Sequence, residues 1–443
     1  MYIKLKEPSE KIAGIVDGKF LSYGNVKGRL IIKHGYVIDP RNNIEANLDI
    51  AIEDNQIIEV SEDISAERED RIIDAEKLLV VPGLIDIHLH MGDLFDVDTA
   101  SVRHAVQDGV TTALSPGAGN TFMAPALLGA EMDRGLPLNV GVFLGAANIL
   151  ATSLTDEEIV QLFTGKLPWE AACNRLTRNA LVNRTAPLIV GIKDHMGHFI
   201  MPNENIRRIF EICSKAKLMY MSHTQDPAHA EKMVQLSEGA QLHLTHATAA
   251  GTGTHGEAKE SMERVVELCR CENVTGDFVT TMLRRGLGSR EGLQMDVRAR
   301  QVCLDALHNN LINVLVSDGQ NQSVMKGFGD TRDNIPALLE LVDEGVLSIS
   351  QAIATMTKNS AKLLSMKTRS DWWQEKMGHL GVGALANVTI IDPYDKLATY
   401  TIVNGKVAAF ENRLLRNVGN AGSWVSRFGS LNKMGIGDLS IFV

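Results

Sequence analysis

Residues 81–90, VPGLIDIHLH, decide the fold prediction because they form an apolar run that ends in two histidines. Side chains on a strand alternate between its two faces, so His88 and His90 point to the same side. Two imidazoles at one strand end can serve as two ligands of a divalent metal ion. A pair of hydrogen-bonded core histidines has the same spacing, so the motif alone leaves both interpretations open.

Seven further apolar runs follow along the chain, separated by stretches with helical spacing. This alternation is typical of a parallel sheet with crossover helices, and eight strands predict a closed (β/α)8 barrel of the TIM type. The predicted strands are 84–90, 110–115, 138–145, 188–193, 217–223, 241–246, 273–278 and 312–318. The predicted helices are 99–108, 203–216, 257–271, 297–308 and 348–366, with a capping box at Thr155 and Glu158.

Both ends of the chain have a different texture, with short alternating segments broken by turns. Hairpin turns are predicted at His34-Gly35, Asp54-Asn55 and Asn404-Gly405. We expect the two ends to form one small β domain. The predicted division is 1–82 and 381–443 for this domain and the C-terminal tail, and 83–380 for the barrel.

Other predicted strands end in residues that can also bind metal. His223 closes the fifth strand, His246 the sixth and Asp318 the eighth. Active sites of such barrels lie at the C-terminal ends of the strands, so these groups predict a metal centre at the barrel mouth. Lys193 closes the fourth strand, where it either extends its amine to solvent or, if buried, loses its charge and becomes able to form a carbamate with carbon dioxide.

The composition excludes several classes of function. The chain has 443 residues, 44 Lys plus Arg against 54 Asp plus Glu, and a formal net charge of -10. A net negative chain without clustered basic residues argues against nucleic-acid and anionic-membrane surfaces. Five cysteines without regular spacing predict no disulfide framework, and we expect a cytoplasmic chain without a signal peptide or membrane span.

The run 81–90, together with Gly109-Val110-Thr111-Thr112, resembles the amidohydrolase superfamily. The resemblance implies the (β/α)8 barrel, the split β-sandwich and a binuclear centre with a carboxylated lysine. Residues 382–392 resemble the family's return into the sandwich. The implied metal ligands are His88, His90, Lys193, His223, His246 and Asp318.

The same resemblance implies the chemistry. Two divalent ions, zinc by default, would hold a bridging hydroxide that attacks an amide, cyclic amide or related acyl bond of a small molecule. Asp318 would take the proton of that hydroxide and deliver it to the departing nitrogen. The family also leads us to expect a homo-oligomer.

The subfamily is suggested by shorter stretches. Residues 191–195, 251–255 and 317–320 are similar to urease, whereas 115–120 and 143–149 look more like amidohydrolases that remove acyl groups from small acids. Dihydroorotases usually carry Arg where Gly92 stands, so the pattern favours the acyl-removing group.

Three residues near the predicted centre are candidates for substrate binding. His195 follows Lys193 by two positions and would point the same way if the strand continues, where it can hydrogen-bond a substrate carbonyl. Asn120 in a Gly-rich turn and His255 in the loop 249–256 are the other two. A surface histidine, a turn-forming asparagine and a merely flexible loop are equally consistent with these positions.

Two alternatives remain open on the sequence. One is a mononuclear deaminase of the same fold in which Lys193 is unmodified, and the other is a non-catalytic assembly protein. Because all six ligand positions hold metal-competent residues, the sequence favours the hydrolase.

Overall fold

The computed structural model describes residues 28–92, 100–116, 135–172, 175–176, 186–194, 201–286, 294–320, 328–415, 421–427, 429 and 431–432. The N-terminal part forms five strands. They are β1 (Leu30–Asp39), β2 (Ile44–Glu53), β3 (Gln56–Ser61), β4 (Arg71–Asp74) and β5 (Leu79–Pro82).

The middle of the chain alternates strands with helices. Its strands are β6 (Leu84–Asp86), β7 (Val110–Ser115), β8 (Asn139–Gly145), β9 (Gly191–Asp194), β10 (Met219–His223), β11 (Leu242–Thr245), β12 (Val274–Gly276), β13 (Phe278–Val279) and β14 (Leu315–Val316). Its helices are α1 (Ala100–Gln107), α2 (Ala146–Ala151), α3 (Asp156–Phe163), α4 (Trp169–Ala172), α5 (Asn203–Ala216), α6 (Pro227–Ser237), α7 (Ala258–Leu268), α8 (Thr280–Leu283), α9 (Val297–His308), α10 (Asn334–Asp343), α11 (Ile349–Thr355), α12 (Lys358–Thr368) and α13 (Trp372–Lys376). Short 3-10 helices cover Ala186–Leu188, Ala247–Thr252 and Thr331–Asp333.

The C-terminal part returns to strands. They are β15 (Val388–Asp392), β16 (Leu397–Val403), β17 (Lys406–Phe410), β18 (Arg413–Leu414), β19 (Trp424–Val425) and β20 (Leu431–Asn432). In the part of the chain that the structure describes, no helix combines the length and apolarity needed to cross a membrane.

Strand β5 joins the two ends of the chain in one nine-stranded sheet. It pairs in parallel with β1 and antiparallel with β15, where Pro82 lies opposite Val388. Side chains from both ends share one apolar core, which includes Ile32, Ile50 and Ile390. The predicted β-sandwich built from both ends is therefore confirmed, while the domain limits at residues 82 and 381 stay a prediction.

The strands of the middle part close into a barrel. The strands β6 to β12 form one continuous series in which neighbours in the chain pair in parallel. A second, separate pair is formed by β13 and β14, which are also parallel. Asp277 alone separates β12 from β13. A parallel bridge between Leu89, beyond β6, and Gly319, beyond β14, joins the first strand to the last. The predicted (β/α)8 barrel is confirmed, and its closure places the ends of β6 and β14 side by side.

Two local predictions were wrong. His34-Gly35 is a bulge inside β1 rather than a hairpin, because His34 has φ 63° and its N–H donates to Asp49 Oδ1 at 3.0 Å in place of a ladder partner. The predicted helix 348–366 is broken at Met356, whose carbonyl accepts from Ile85 N–H at 2.7 Å. The capping box at Thr155 and the hairpin at Asn404-Gly405 are present.

Candidate metal centre

The closure of the barrel brings His88, His90 and Asp318 together. Asp318 Oδ1 lies 3.0 Å from His88 Nε2 and 3.4 Å from His90 Nε2. All three residues are buried, and one ligand atom from each lies within 4.8 Å of the others. The three groups form a compact cluster of two imidazoles and one carboxylate that suits a divalent ion.

Backbone contacts hold this cluster in place. His90 N–H donates to Gly319 O at 3.0 Å, and Phe328 N–H donates to Asp318 Oδ2 at 3.2 Å. Asp318 has φ 47°, a left-handed conformation that costs a non-glycine residue free energy and concentrates at functional sites. Gly92 also has a positive φ, 61°, so the arginine usual in dihydroorotases would be strained at this position.

His223 and His246 lie beside the cluster. The ring centroids of His223 and His246 are 4.4 Å apart, and those of His88 and His246 are 5.1 Å apart. Among the described residues, His223 Nε2 and His246 Nδ1 are buried without a hydrogen-bond partner. Because a buried polar atom left unpaired is costly, two such nitrogens beside a carboxylate fit a metal ion.

Lys193 is buried, with 1 % of its surface exposed. Its Nζ donates to Asp194 O at 2.7 Å. Burial lowers the pKa of Lys193 to about 8, although the negative charges of Asp194, Asp318 and Asp277 act to raise it. The amine therefore loses its proton far more readily than a surface lysine, so the solvent-exposed interpretation of this residue is wrong.

The charges of the cluster suit metal binding. Burial, together with the nearby Lys193 charge, lowers the pKa of His223 to about 3. Burial likewise holds the pKa of His246 well below its usual value. Burial opposes ionisation of Asp318, yet the neighbouring His88, His90 and His246 side chains bring its pKa well below the usual range. Neutral imidazoles around a carboxylate are the protonation states that metal ligation needs.

Three buried carboxylates behind the cluster were missed by the sequence analysis. Asp86 Oδ1 accepts from His88 N–H at 3.2 Å, Asp194 Oδ1 from His223 N–H at 3.1 Å, and Asp277 Oδ1 from His246 N–H at 2.5 Å. Each of these aspartates stands at the C-terminal end of a barrel strand, and that position is the signal by which the sequence could have revealed them. The three carboxylates fix the main chain of three ligand candidates.

Of the three predicted substrate-binding residues, only His255 is among the residues that the structure describes. His195 and Asn120 lie outside the described residues. His255 is exposed, in the segment between Ala247–Thr252 and α7. Its neighbour Thr254 accepts from Gln225 Nε2 at 3.1 Å, and Gln225 follows His223 by two residues along the chain. This hydrogen bond connects the segment to the stretch of chain that carries His223.

Comparison with known proteins agrees with this geometry. A dihydroorotase of Geobacter sp. (strain M21) is 26% identical over 418 residues, covering 82% of this chain and 89% of the relative. A dihydroorotase of Aquifex aeolicus is 25% identical over 417 residues, covering 82% of this chain and 90% of the relative.

Solved structures share the fold. Dihydropyrimidinase from Brevibacillus agri superposes with a TM-score of 0.65 at 16% identity, covering 92% of this chain and 100% of that one. L-hydantoinase from Arthrobacter aurescens gives a TM-score of 0.64 at 17% identity, covering 90% of this chain and 100% of that one.

The family model of the amidohydrolase family matches residues 79–412, which include every implied metal ligand. This match confirms the predicted hydrolase of carbon–nitrogen bonds other than peptide bonds, and the family implies divalent metal as the cofactor. The chain belongs to the amidohydrolase family.

Proposed function

We propose that this chain hydrolyses a cyclic amide of a small molecule at a binuclear metal centre in the barrel mouth. The observation that carries the proposal is the approach of Asp318 Oδ1 to His88 Nε2 and His90 Nε2, beside the unpaired nitrogens of His223 and His246. The dihydroorotase relatives and the hydantoinase fold neighbours support a cyclic amide as the scissile group.

We assign two divalent ions, with zinc as the default, to six ligands. Imidazole and carboxylate donors suit zinc. The ligands are His88, His90, Lys193, His223, His246 and Asp318.

Lys193 would bind as its carbamate. The lone pair of its neutral amine forms a bond to the carbon of carbon dioxide, and the amine then loses a proton to leave an anionic carbamate. Its burial and its pKa of about 8 support this reaction, because the neutral amine is accessible near physiological pH. The carbamate carries a negative charge, and two cations in one site need such an anionic ligand.

Bound divalent ions would supply a water of lowered pKa and would polarise the substrate carbonyl. Asp318 is the proton carrier. Because its pKa lies well below the usual range, it begins ionised and accepts the proton of the attacking water. Phe328 N–H fixes Oδ2 while Oδ1 faces the histidines, so the carboxylate stays aligned as it passes the proton to the departing nitrogen.

Substrate contacts are assigned to His195, Asn120 and His255, with His195 donating to the substrate carbonyl. The hydrogen bond from Gln225, two residues after His223, to Thr254 supports a role for the 249–256 loop next to the substrate. A cytoplasmic location and a homo-oligomer complete the proposal.

A substrate panel combined with metal analysis tests it. The panel contains dihydroorotate, hydantoin, dihydrouracil, an N-acyl amino acid and an aminopyrimidine. Turnover of any cyclic amide by protein that holds two metals supports the proposal. Turnover of only the N-acyl amino acid would assign the chain to the acyl-removing group, whereas deamination with one metal would favour the mononuclear alternative. Folded protein that binds no metal would favour the alternative of a non-catalytic assembly protein.

A further inference from the structure

A buried chain of hydrogen bonds lies behind His88. His88 Nδ1 is 2.6 Å from Thr245 Oγ1, and Thr245 Oγ1 donates to Asp277 Oδ2 at 2.9 Å. His243 Nε2 also contacts Asp277 Oδ2, at 2.8 Å. None of these four side chains is more than 1% exposed, so water does not compete for the contacts.

The direction of each hydrogen bond follows from the chemistry of the groups. The Asp277 carboxylate only accepts, so both Thr245 Oγ1–H and His243 Nε2–H donate to it. Thr245 has then used its single hydrogen, and its oxygen must accept from His88 Nδ1–H. This arrangement leaves the lone pair of His88 Nε2 on the side of Asp318, where a cation binds.

The other oxygen of Asp277 serves a second ligand candidate. Asp277 Oδ1 accepts from His246 N–H at 2.5 Å, and Ala247 N–H donates to the Asp277 carbonyl at 3.0 Å. His246 has φ 43°, a left-handed conformation that needs such external support in a residue with a side chain. One aspartate thus contacts His246 directly and His88 through Thr245.

We propose that Thr245, Asp277 and His243 form a positioning unit that fixes the tautomer of His88 and the main chain of His246 for metal binding. The sixth strand of the barrel contributes Thr245 and His243, and Asp277 stands in the seventh strand, which supplies no candidate ligand. His243 also holds Asp277, through the hydrogen bond that its Nε2 donates to Oδ2. The inference rests on the proposed function only in that a metal binds at this centre.

Metal affinity tests the unit without any substrate. Apoprotein is titrated with zinc alone against a chromophoric chelator, and the cobalt-substituted protein is examined by visible absorption. Thr245→Val keeps the shape of the side chain but removes the acceptor for His88 Nδ1–H. We expect it to weaken zinc binding by about 10- to 100-fold and to change the cobalt spectrum. Thr245→Ser keeps the hydroxyl and should stay near wild type.

Thr368→Val is the matched control. Thr368 is also buried, and its hydroxyl donates to Leu364 O within α12 at 2.7 Å. A positioning role predicts loss of affinity in Thr245→Val and in Asp277→Asn, but not in Thr368→Val. If Thr245→Val does not fold, Thr245→Ala takes its place.

Equal affinity and equal cobalt spectra in wild type, Thr245→Val and Asp277→Asn would overturn the inference, even if the variants lose stability. Wild-type protein that binds no zinc would instead contradict the proposed function. The two failures are therefore distinguishable.

Discussion

Asp318 and His88 come from the last and first strands of the barrel, yet Asp318 Oδ1 lies 3.0 Å from His88 Nε2. The parallel bridge between Leu89 and Gly319 sets this distance, because it aligns the two strand ends. Closure of the barrel and assembly of the metal cluster are thus one structural event. Both residues sit at the mouth, where substitutions affect the chemistry more than the core.

Asp318→Asn should therefore lose activity while it keeps its fold. An amide cannot accept the proton of the attacking water, and general acid–base catalysis contributes about 100- to 10,000-fold. We expect kcat to fall by at least that factor, with the far-ultraviolet circular dichroism of wild type. Glu157→Ala on the exposed face of α3 serves as the control and should keep full turnover. An Asp318→Asn protein with wild-type kcat would remove Asp318 from the proposed role.

Lys193→Ala should change the metal content. Without the lysine there is no carbamate to hold the second cation, so we expect fewer than two metals per chain by elemental analysis and a large loss of turnover. A short carboxylic acid such as acetate or propionate should partly restore both, because it places a carboxylate in the vacated space. Two metals and full activity in Lys193→Ala would contradict the binuclear assignment.

A pH effect on stability is expected at Asp108, away from the metal centre. Burial raises its pKa to about 7, although Thr331 Oγ1–H donates to its Oδ2 at 2.6 Å. Since the folded pKa is raised, the unfolded chain ionises first, and Asp108 loses its stabilising contribution as pH rises from about 4 towards 7. Asp108→Asn does not ionise at this position. As the pH rises over this range, the unfolding free energy of the variant, measured by urea denaturation, should therefore increase relative to that of wild type by about 1–3 kcal/mol.

The measurement compares the two proteins at pH 5 and pH 8 with the metal load held constant. If the difference in unfolding free energy between the two proteins is the same at pH 5 and at pH 8, Asp108 does not titrate in this range.

The contact between barrel and sandwich should depend on Asn139. This fully buried residue of β8 accepts from Asn404 Nδ2 at 2.8 Å, while Asn387 Oδ1 accepts from Asn404 N–H at 2.9 Å. Asn139→Leu leaves a buried amide of Asn404 without this acceptor, which costs about 1–3 kcal/mol. Chemical unfolding measures the loss, and the exposed Asn309→Ala should change stability far less. Equal stability of Asn139→Leu and wild type would show that this network is not stabilising.

Much of the fold follows from local sequence patterns. The limits of β7, α5 and α9 agree with the predicted 110–115, 203–216 and 297–308, because apolar spacing and strong end signals coincide there. The ligand candidates were found because metal chemistry needs particular residue types at strand ends. At His34, by contrast, a tertiary hydrogen bond to Asp49 converts a turn signal into a bulge, and no local pattern reports that bond.

The supporting carboxylates illustrate the other limit of the sequence. Asp86 and Asp277 stand at strand ends like the ligands, but an aspartate that binds metal and one that accepts a backbone N–H have the same local sequence. Only the register between strands separates them, and that register depends on how the barrel closes. The contact between His243 and Asp277 likewise becomes visible only in three dimensions.

Anomalous X-ray diffraction at the zinc edge tests the central claim most directly. Crystals of protein purified with zinc and bicarbonate should show two anomalous peaks about 3.5–4 Å apart, enclosed by the six assigned ligands, with extra density on Lys193 Nζ. A single peak beside an unmodified Lys193, or peaks away from His88 and Asp318, would contradict the account.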